Sequence, residues 1–331
     1  MAACAAPGPA PAPSGETSDE TVTIAWWNAY QTETVQQITP QIIGDFEAMH
    51  PNIKIDYEIS GGPPGGGNLT EVLLSRIAAG NPPDTVTIFD PPAQFGALGS
   101  LTEIDDQMST AEFATADSFY EGVLNTCKWD GKTYGLPASA ACSGIFMNKS
   151  KLEEKGISTA RADFPQTWDE LRRLSAELTV VANGEVKQGG FVPAWADTWL
   201  YPVWSSLNGS QVFDAANRQY TIDSEQNVGW IDFWASWIEE QFGNLEQLNL
   251  AGNFNSAYPP DSAYFNNLEA MHADGAWIMT DVEFPFEWEV AHFPVGPSGS
   301  ASVTGFWPNW FVMPKGGPNP EEAFLFIEYF R

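Results

Sequence analysis

The pattern of apolar and polar positions in the first 90 residues predicts alternating strands and helices. Short apolar runs at 22–27, 53–59 and 86–89 have the composition of β-strands. Between them, apolar residues recur every three or four positions over 35–49 and 69–77, as one face of a helix requires. This order predicts a parallel α/β sheet with right-handed crossovers.

Two of these strands end in residues that suit a binding site. The segment AAGNPPDTVTIFD ends a helix at Gly80 and runs through the third strand to Asp90. The first strand ends in Trp26, Trp27 and Asn28. Because ligands of parallel α/β sheets bind beyond the carboxyl ends of the strands, we expect these residues at a binding site.

The chain after residue 128 predicts a second α/β region. Thr167 and Glu170 have the spacing of a capping box, which opens a helix. The other predicted elements are a hairpin over 128–137, strands over 142–148 and 275–280, and helices over 224–241 and 261–272. Four aromatic residues at helical spacing are predicted to lie in the core: Trp230, Phe233, Trp234 and Trp237.

Charge narrows the class of ligand. The chain has 14 Lys and Arg against 43 Asp and Glu, a net charge of −29. Such a surface repels nucleic acids and anionic lipids, so we expect a neutral or cationic ligand. No apolar run approaches the roughly 20 residues that a membrane-spanning helix needs.

The N-terminal 20 residues, MAACAAPGPAPAPSGETSDE, have the composition of a disordered tether. Small residues before Cys4 resemble the end of a bacterial lipoprotein signal, although the basic and apolar parts of such a signal are absent. Cys4 is therefore predicted to carry a lipid, with an ordinary exposed cysteine as the alternative. Cys127 and Cys142 are either a disulfide or two buried thiols.

The sequence offers no motif for catalysis, a metal or a cofactor. The three histidines, His50, His272 and His292, form no HExxH or Cys/His cluster, and no GxSxG elbow is present. The glycine-rich loop at 61–67 lacks the third glycine of a dinucleotide site, so we predict a flexible loop. We expect no catalytic residue, no metal ligand and no cofactor.

Aromatic residues are the most informative candidates. A neutral polyhydroxylated ligand has an apolar C–H face and a rim of hydroxyls, which suit a flat indole beside Asp and Asn. Five tryptophans at strand ends or beside Gly, Pro or Asn are candidates to face such a ligand: Trp26, Trp27, Trp277, Trp307 and Trp310.

Four stretches resemble the family 1 extracellular solute-binding proteins, the carbohydrate-binding components of ABC importers. They are AAGNPPDTVTIFD, DGKTYGLPASAACSGIFMNKSKLEEKGI running to FPQTWDEL, LEAMHADGAWIM and GFWPNWFVMPKGGPNPEEAFLFI. The resemblance implies two α/β lobes, each a mainly parallel sheet flanked by helices, with a ligand cleft between them. It places 21–138 and 292–331 in the first lobe and 139–291 in the second.

The resemblance also implies roles for individual residues. Asp90 is similar to the acceptor of sugar hydroxyls, and Trp277 to the stacking aromatic residue. The polar loop after the first strand corresponds to Asn28, Tyr30 and Gln31. Second-lobe ligand residues correspond to Trp195, Asp197 and Trp199, and Asn309 is expected to bind hydroxyls. Relatives continue beyond this C-terminus, which implies that a segment is missing.

These features together predict a monomeric extracytoplasmic receptor at the cell surface or in the periplasm. It would bind a neutral sugar or oligosaccharide, deliver it to an ABC-importer permease and catalyse no reaction. A secreted glycoside hydrolase is one alternative, suggested by the 43 acidic residues and the abundant tryptophan. A receptor for a cationic solute such as a quaternary amine is the other, suggested by the negative charge.

Overall fold

The computed structural model describes residues 21–29, 33–59, 69–193, 198–214 and 216–330. The strands within these ranges are β1 (Val22–Asn28), β2 (Ile53–Ile59), β3 (Thr85–Ile88), β4 (Lys128–Trp129), β5 (Lys132–Thr133), β6 (Leu136–Asn148), β7 (Val180–Ala182), β8 (Glu185–Phe191), β9 (Phe213–Asp214), β10 (Gln219–Tyr220), β11 (Glu269–Gly275), β12 (Trp288–Ala291) and β13 (Phe306–Val312). The helices are α1 (Glu33–Met49), α2 (Leu69–Ala78), α3 (Pro92–Ala97), α4 (Asp105–Thr110), α5 (Glu121–Leu124), α6 (Lys149–Glu153), α7 (Trp168–Leu178), α8 (Tyr201–Leu207), α9 (Glu225–Phe242), α10 (Leu245–Ala251), α11 (Ile278–Asp281) and α12 (Pro320–Phe330). None of these helices combines the length and apolar character needed to cross a membrane.

The described residues form two compact units. The first contains 21–29, 35–59, 69–138 and 310–330, and the second contains 33–34, 139–193, 198–214 and 216–309. The predicted return to the first lobe at 292 is wrong, because 292–309 packs on the second unit. Phe293 lies in that unit's core, and Val295 exchanges backbone hydrogen bonds of 2.9 and 3.0 Å with Gln166 and Trp168.

The first unit is built on the sheet that the sequence predicts. β1 pairs in parallel with β2 on one side and with β3 on the other, and β13 closes the sheet by pairing antiparallel with β3. All four residues of β3 are buried, as expected of a central strand. β2 alternates between more and less exposed positions, as an edge strand with one covered face does.

The second unit contains a mixed sheet, whereas the sequence predicts a mainly parallel one. β8 and β11 are parallel, but β6 pairs antiparallel with both β11 and β12, and β7 pairs antiparallel with β8. The helix α7 begins with the predicted capping box between Thr167 and Glu170. The aromatic side of α9 is core, with Trp230, Trp234 and Trp237 buried.

Two predicted elements of the second unit are wrong. The sequence predicts a helix over 261–272 and a strand over 275–280, but the structure has the strand β11 at Glu269–Gly275 and then the short helix α11. All seven residues of β11 are buried between β6 and β8. A strand covered on both faces shows no alternation of apolar and polar residues, so periodicity could not identify it.

A substitution at Gly190 of β8 tests how closely the helix α7 approaches this strand. A Cβ at Gly190 would lie 2.1 Å from the backbone oxygen of Ser175, a contact that only backbone movement can relieve. We expect Gly190→Ala to lower the free energy of unfolding by about 3 kcal/mol. Urea denaturation followed by circular dichroism measures this loss.

The matched control is Gly44→Ala in the interior of α1, where nothing lies within 4 Å of a new Cβ. This substitution is expected to raise stability by about 0.5–1 kcal/mol, because alanine loses less backbone entropy in a helix. Equal stability of the two variants would contradict the close approach of α7 to β8.

Candidate ligand-binding site

Three tryptophans predicted from the sequence meet in the second unit. The ring centroid of Trp199 lies 5.3 Å from that of Trp277 and 4.9 Å from that of Trp307. The interplanar angles are 56° and 73°, so the Trp199–Trp277 pair is tilted, the Trp199–Trp307 pair is edge to face, and neither is a parallel stack. All three side chains are only partly buried, which leaves aromatic surface available. We call these residues the tryptophan cluster.

A glycine two residues earlier supports each of two rings of the tryptophan cluster. A Cβ at Gly275 would lie 2.2 Å from ring atoms of Trp277, and a Cβ at Gly305 would lie 2.5 Å from the ring of Trp307. Each indole therefore folds back over the backbone of its glycine. The repeated Gly-x-Trp spacing is a signal in the sequence that the prediction did not use.

The middle of β6 holds the backbone that precedes both rings. The Ala276 N–H donates to the carbonyl oxygen of Cys142 at 2.8 Å, and Ala276 directly precedes Trp277. The Ser143 N–H donates to the carbonyl oxygen of Gly305 at 3.2 Å, and the Gly305 N–H donates to Ser143 Oγ at 3.2 Å. Two adjacent residues of one strand thus fix the starting points of two connections that carry tryptophans.

The short helix that follows Trp277 carries a carboxylate that is hydrogen-bonded to a tyrosine. Tyr258 donates its phenolic O–H to Asp281 Oδ2 at 2.9 Å, and Asp281 ends the helix α11 that follows Trp277. Burial and the Asp281 carboxylate raise the pKa of Tyr258 well above its usual value, so its proton stays on the phenol. In the same unit, Asn309 is partly exposed, and its Nδ2 lies 3.4 Å from Ser139 Oγ.

The first unit presents Asp90 as predicted, after the end of β3. Its side chain is exposed, and Oδ2 accepts a hydrogen bond of 2.7 Å from the hydroxyl of Thr70. Asn28 ends β1 and is fully buried. The side chain of Asp90 is accessible to a ligand, and its role in binding stays a prediction.

Three of the predicted ligand-facing tryptophans are instead core residues of the first unit. Trp26 is fully buried and donates from Nε1 to the hydroxyl of Thr87 at 3.0 Å. Trp310 is buried and donates to the hydroxyl of Thr126 at 2.9 Å. Trp27 is 7% exposed, and the Arg76 guanidinium lies 5.4 Å from its ring centroid. The predictions for Trp26 and Trp310 are wrong, and Arg76 covers the ring of Trp27.

Other predictions concern residues outside the described ranges. They are Cys4, the glycine-rich loop, Tyr30, Gln31, Trp195 and Asp197. Cys127 and Cys142 are both free thiols, so the disulfide that the sequence allowed is not formed. Cys142 is exposed, whereas burial raises the pKa of the Cys127 thiol to about 12. Within the described residues, no group of His, Cys, Asp and Glu is arranged to hold a metal ion.

Known proteins resemble this chain over most of its length. A multiple sugar-binding protein of Streptococcus mutans is 24% identical over 328 residues, which cover 96% of this chain and 72% of the relative. An uncharacterised lipoprotein of Streptomyces antibioticus is 22% identical, with 95% and 68% covered. The solved structure of CpMnBP1 with mannotriose bound has a TM-score of 0.80 at 24% identity, covering 94% of this chain and 78% of that one.

A comparison with models of protein families identifies the family of this chain. The model of the bacterial extracellular solute-binding proteins matches residues 28–331, which is most of the sequence. The two-unit α/β fold agrees with this match, since solved structures of similar fold include a maltose-bound protein at a TM-score of 0.72. The chain therefore belongs to the bacterial extracellular solute-binding protein family.

Proposed function

We propose that this protein is the receptor of an ABC importer for a neutral sugar or oligosaccharide, and that the tryptophan cluster binds the sugar. The observation that carries the proposal is the meeting of Trp199, Trp277 and Trp307 on one unit, each partly exposed. Indole faces suit the apolar C–H side of a pyranose. The relative from Streptococcus mutans is a sugar-binding protein, and CpMnBP1 binds mannotriose.

Charge supports a neutral solute over an anionic one. The net charge of −29 opposes the approach of phosphorylated or acidic sugars. Asp90 with its Thr70 partner and Asn309 supply acceptors and donors that match hydroxyl groups. A receptor of this kind binds its solute and releases it unchanged to the permease.

A screen of the whole chain tests the proposal. Thermal melting and tryptophan fluorescence are measured with mono-, di- and oligosaccharides, with quaternary amines in parallel. A ligand at 100 times its Kd adds about 2.7 kcal/mol to the folded state, which raises the Tm by several degrees. A shift with a sugar is the expected result. A shift with an amine alone would replace the proposal by a cation receptor, and release of reducing ends would indicate a hydrolase.

The N-terminal anchor and the oligomeric state form a separate part of the proposal. Cys4 is proposed to carry a lipid that anchors a monomeric receptor at the bacterial cell surface or in the periplasm. The similar protein of Streptomyces antibioticus is described as a lipoprotein. Labelling with a fatty-acid analogue in the native host is expected to mark the full-length protein and to be lost in the Cys4→Ser variant. Light scattering of the purified chain is expected to give the mass of one copy.

A substitution under the tryptophan cluster tests whether ring placement matters. The methyl group of Gly275→Ala would collide with the Trp277 ring, which then has to turn away. We expect sugar affinity to fall about tenfold, the loss of about 1.4 kcal/mol of binding energy. Isothermal titration calorimetry with the sugar found in the screen measures this change. The control is Gly229→Ala in α9, where the nearest atom lies 3.9 Å from a new Cβ and affinity is expected to stay constant.

A further inference from the structure

The central strand of the second unit buries three ionisable side chains. Glu269, His272 and Asp274 are 0%, 2% and 6% exposed, and all three lie on β11. Burying ionised groups costs several kcal/mol each unless partners offset the lost hydration. Replacing buried ion pairs by apolar residues of similar volume is often neutral or stabilising. The presence of all three side chains therefore calls for a role other than stability.

The imidazole of His272 lies between the two carboxylates. Its Nδ1 is 2.9 Å from Glu269 Oε2, and its Nε2 is 3.6 Å from Asp274 Oδ2. The second distance is an ion-pair distance, longer than a hydrogen bond. The ring also stacks on Tyr264 with centroids 5.4 Å apart and an interplanar angle of 21°. We call Glu269, His272 and Asp274 the buried triad.

Each carboxylate of the buried triad also accepts a hydrogen bond from a backbone N–H. Asp274 Oδ1 accepts from the Gly275 N–H at 2.7 Å, and Gly275 is the residue over which the Trp277 ring lies. Glu269 Oε1 lies 3.4 Å from the Val192 N–H, directly after the end of β8. One imidazole thus links two carboxylates, and one of them holds the backbone under the Trp277 indole, which in turn contacts Trp199.

We propose that His272 is a positioning residue for the sugar-binding surface: by holding Glu269 and Asp274, it fixes the placement of Trp277 relative to Trp199. The inference rests on the proposed function for its effect on affinity. Its effect on the two indoles is independent of any ligand. His272 itself is buried and does not touch the solute.

The charge of the imidazole is part of this arrangement. Burial alone would lower the pKa of His272, but the Glu269 and Asp274 carboxylates outweigh it and raise the pKa to about 10. Burial raises the pKa of Glu269, and the imidazolium opposes that shift. Tyr264 faces the ring from outside the strand and has a pKa well above its usual value because of burial and Glu269. The charge of Asp274 also contributes to raising the pKa of Tyr258, whose O–H donates a hydrogen bond to Asp281.

The sign of the pH effect follows from the direction of the shift. The pKa of His272 is higher in the folded protein than the 6.5 of an exposed histidine. Its contribution is therefore fully present below pH 6.5 and is lost as the pH rises through about 10. We expect the positions of Trp199 and Trp277 to change in the upper part of the pH interval between 6.5 and about 10.

Fluorine NMR of protein labelled with 5-fluorotryptophan tests the positioning role without a ligand. The variants Trp199→Phe, Trp277→Phe and Trp237→Phe assign the resonances. In the parent protein, the signals of Trp199 and Trp277 are expected to titrate together near pH 10. In His272→Asn both signals are expected to be displaced and to lose this titration, while the signal of the core residue Trp237 stays in place.

Affinity supplies the second readout. His272→Asn and Asp274→Asn are expected to bind the sugar about tenfold more weakly, the scale of one lost charge-assisted hydrogen bond. His292→Asn is the control, because His292 is a partly buried histidine of the same unit whose ring contacts Phe164. Glu269→Gln, which keeps the shape of the side chain, covers the case in which His272→Asn fails to fold.

The outcomes separate the two proposals. Unchanged resonances and affinity in folded His272→Asn or Glu269→Gln would overturn the positioning role, even if the parent binds sugar. If His272→Asn displaces the two resonances but the parent protein binds no sugar, the positioning role would be supported and the proposed function refuted. A loss of affinity in His292→Asn equal to that in His272→Asn would assign the effect to general destabilisation and also overturn the inference.

Discussion

Trp277→Ala is expected to weaken sugar binding by about 2 kcal/mol, or roughly thirtyfold. The ring of Trp277 lies over Gly275, contacts Trp199 and remains partly exposed, so its apolar face can stack on a sugar. Truncation removes this face and also leaves Trp199 without one of its two ring contacts within the tryptophan cluster. Isothermal titration calorimetry with the sugar from the screen measures the loss.

Two further variants make this result specific to the indole face. Trp277→Phe keeps a smaller flat ring and is expected to retain part of the affinity. Trp129→Ala removes a tryptophan that is 50% exposed on the hairpin of β4 and β5 in the first unit, and it is expected to bind normally. An affinity of Trp277→Ala within twofold of the parent would exclude Trp277 from the binding surface.

Trp26→Ala is expected to lower the free energy of unfolding by about 3–5 kcal/mol and to leave sugar affinity unchanged in the protein that remains folded. Trp26 is fully buried, and its ring lies 4.9 Å from Tyr57 and 5.1 Å from Phe326. Its removal opens a cavity in the first core and leaves the buried Thr87 hydroxyl without the indole donor. Urea denaturation and calorimetry measure the two quantities.

The control for this variant is Tyr120→Ala, since Tyr120 is 84% exposed. Its stability is expected to stay within about 0.5 kcal/mol of the parent, as at most surface positions. A Trp26→Ala protein with normal stability and lost affinity would restore the hypothesis that Trp26 faces the ligand. Lost stability with normal affinity would assign it to the core.

Elements with local sequence signals could be predicted from the sequence. The strands β1, β2 and β3 and the helices between them follow from apolar runs, helical periodicity and the break at Gly80. The capping box of α7 follows from two side chains three residues apart. Trp277 and Trp307 could be predicted as candidates because they stand in stretches that resemble a known family, and Trp199 because the resemblance places second-lobe ligand residues there.

The exposure of each aromatic residue to a ligand depends on tertiary contacts that the sequence pattern does not reveal. Trp26 and Trp277 both stand at the end of a strand, but Tyr57 and Phe326 cover Trp26, and Gly275 lets the Trp277 ring fold back at the surface. Burial depends on neighbours that are distant in sequence, such as Phe326 beside Trp26. The same reason explains why periodicity did not predict β11, since the strands β6 and β8 that bury it are distant in sequence.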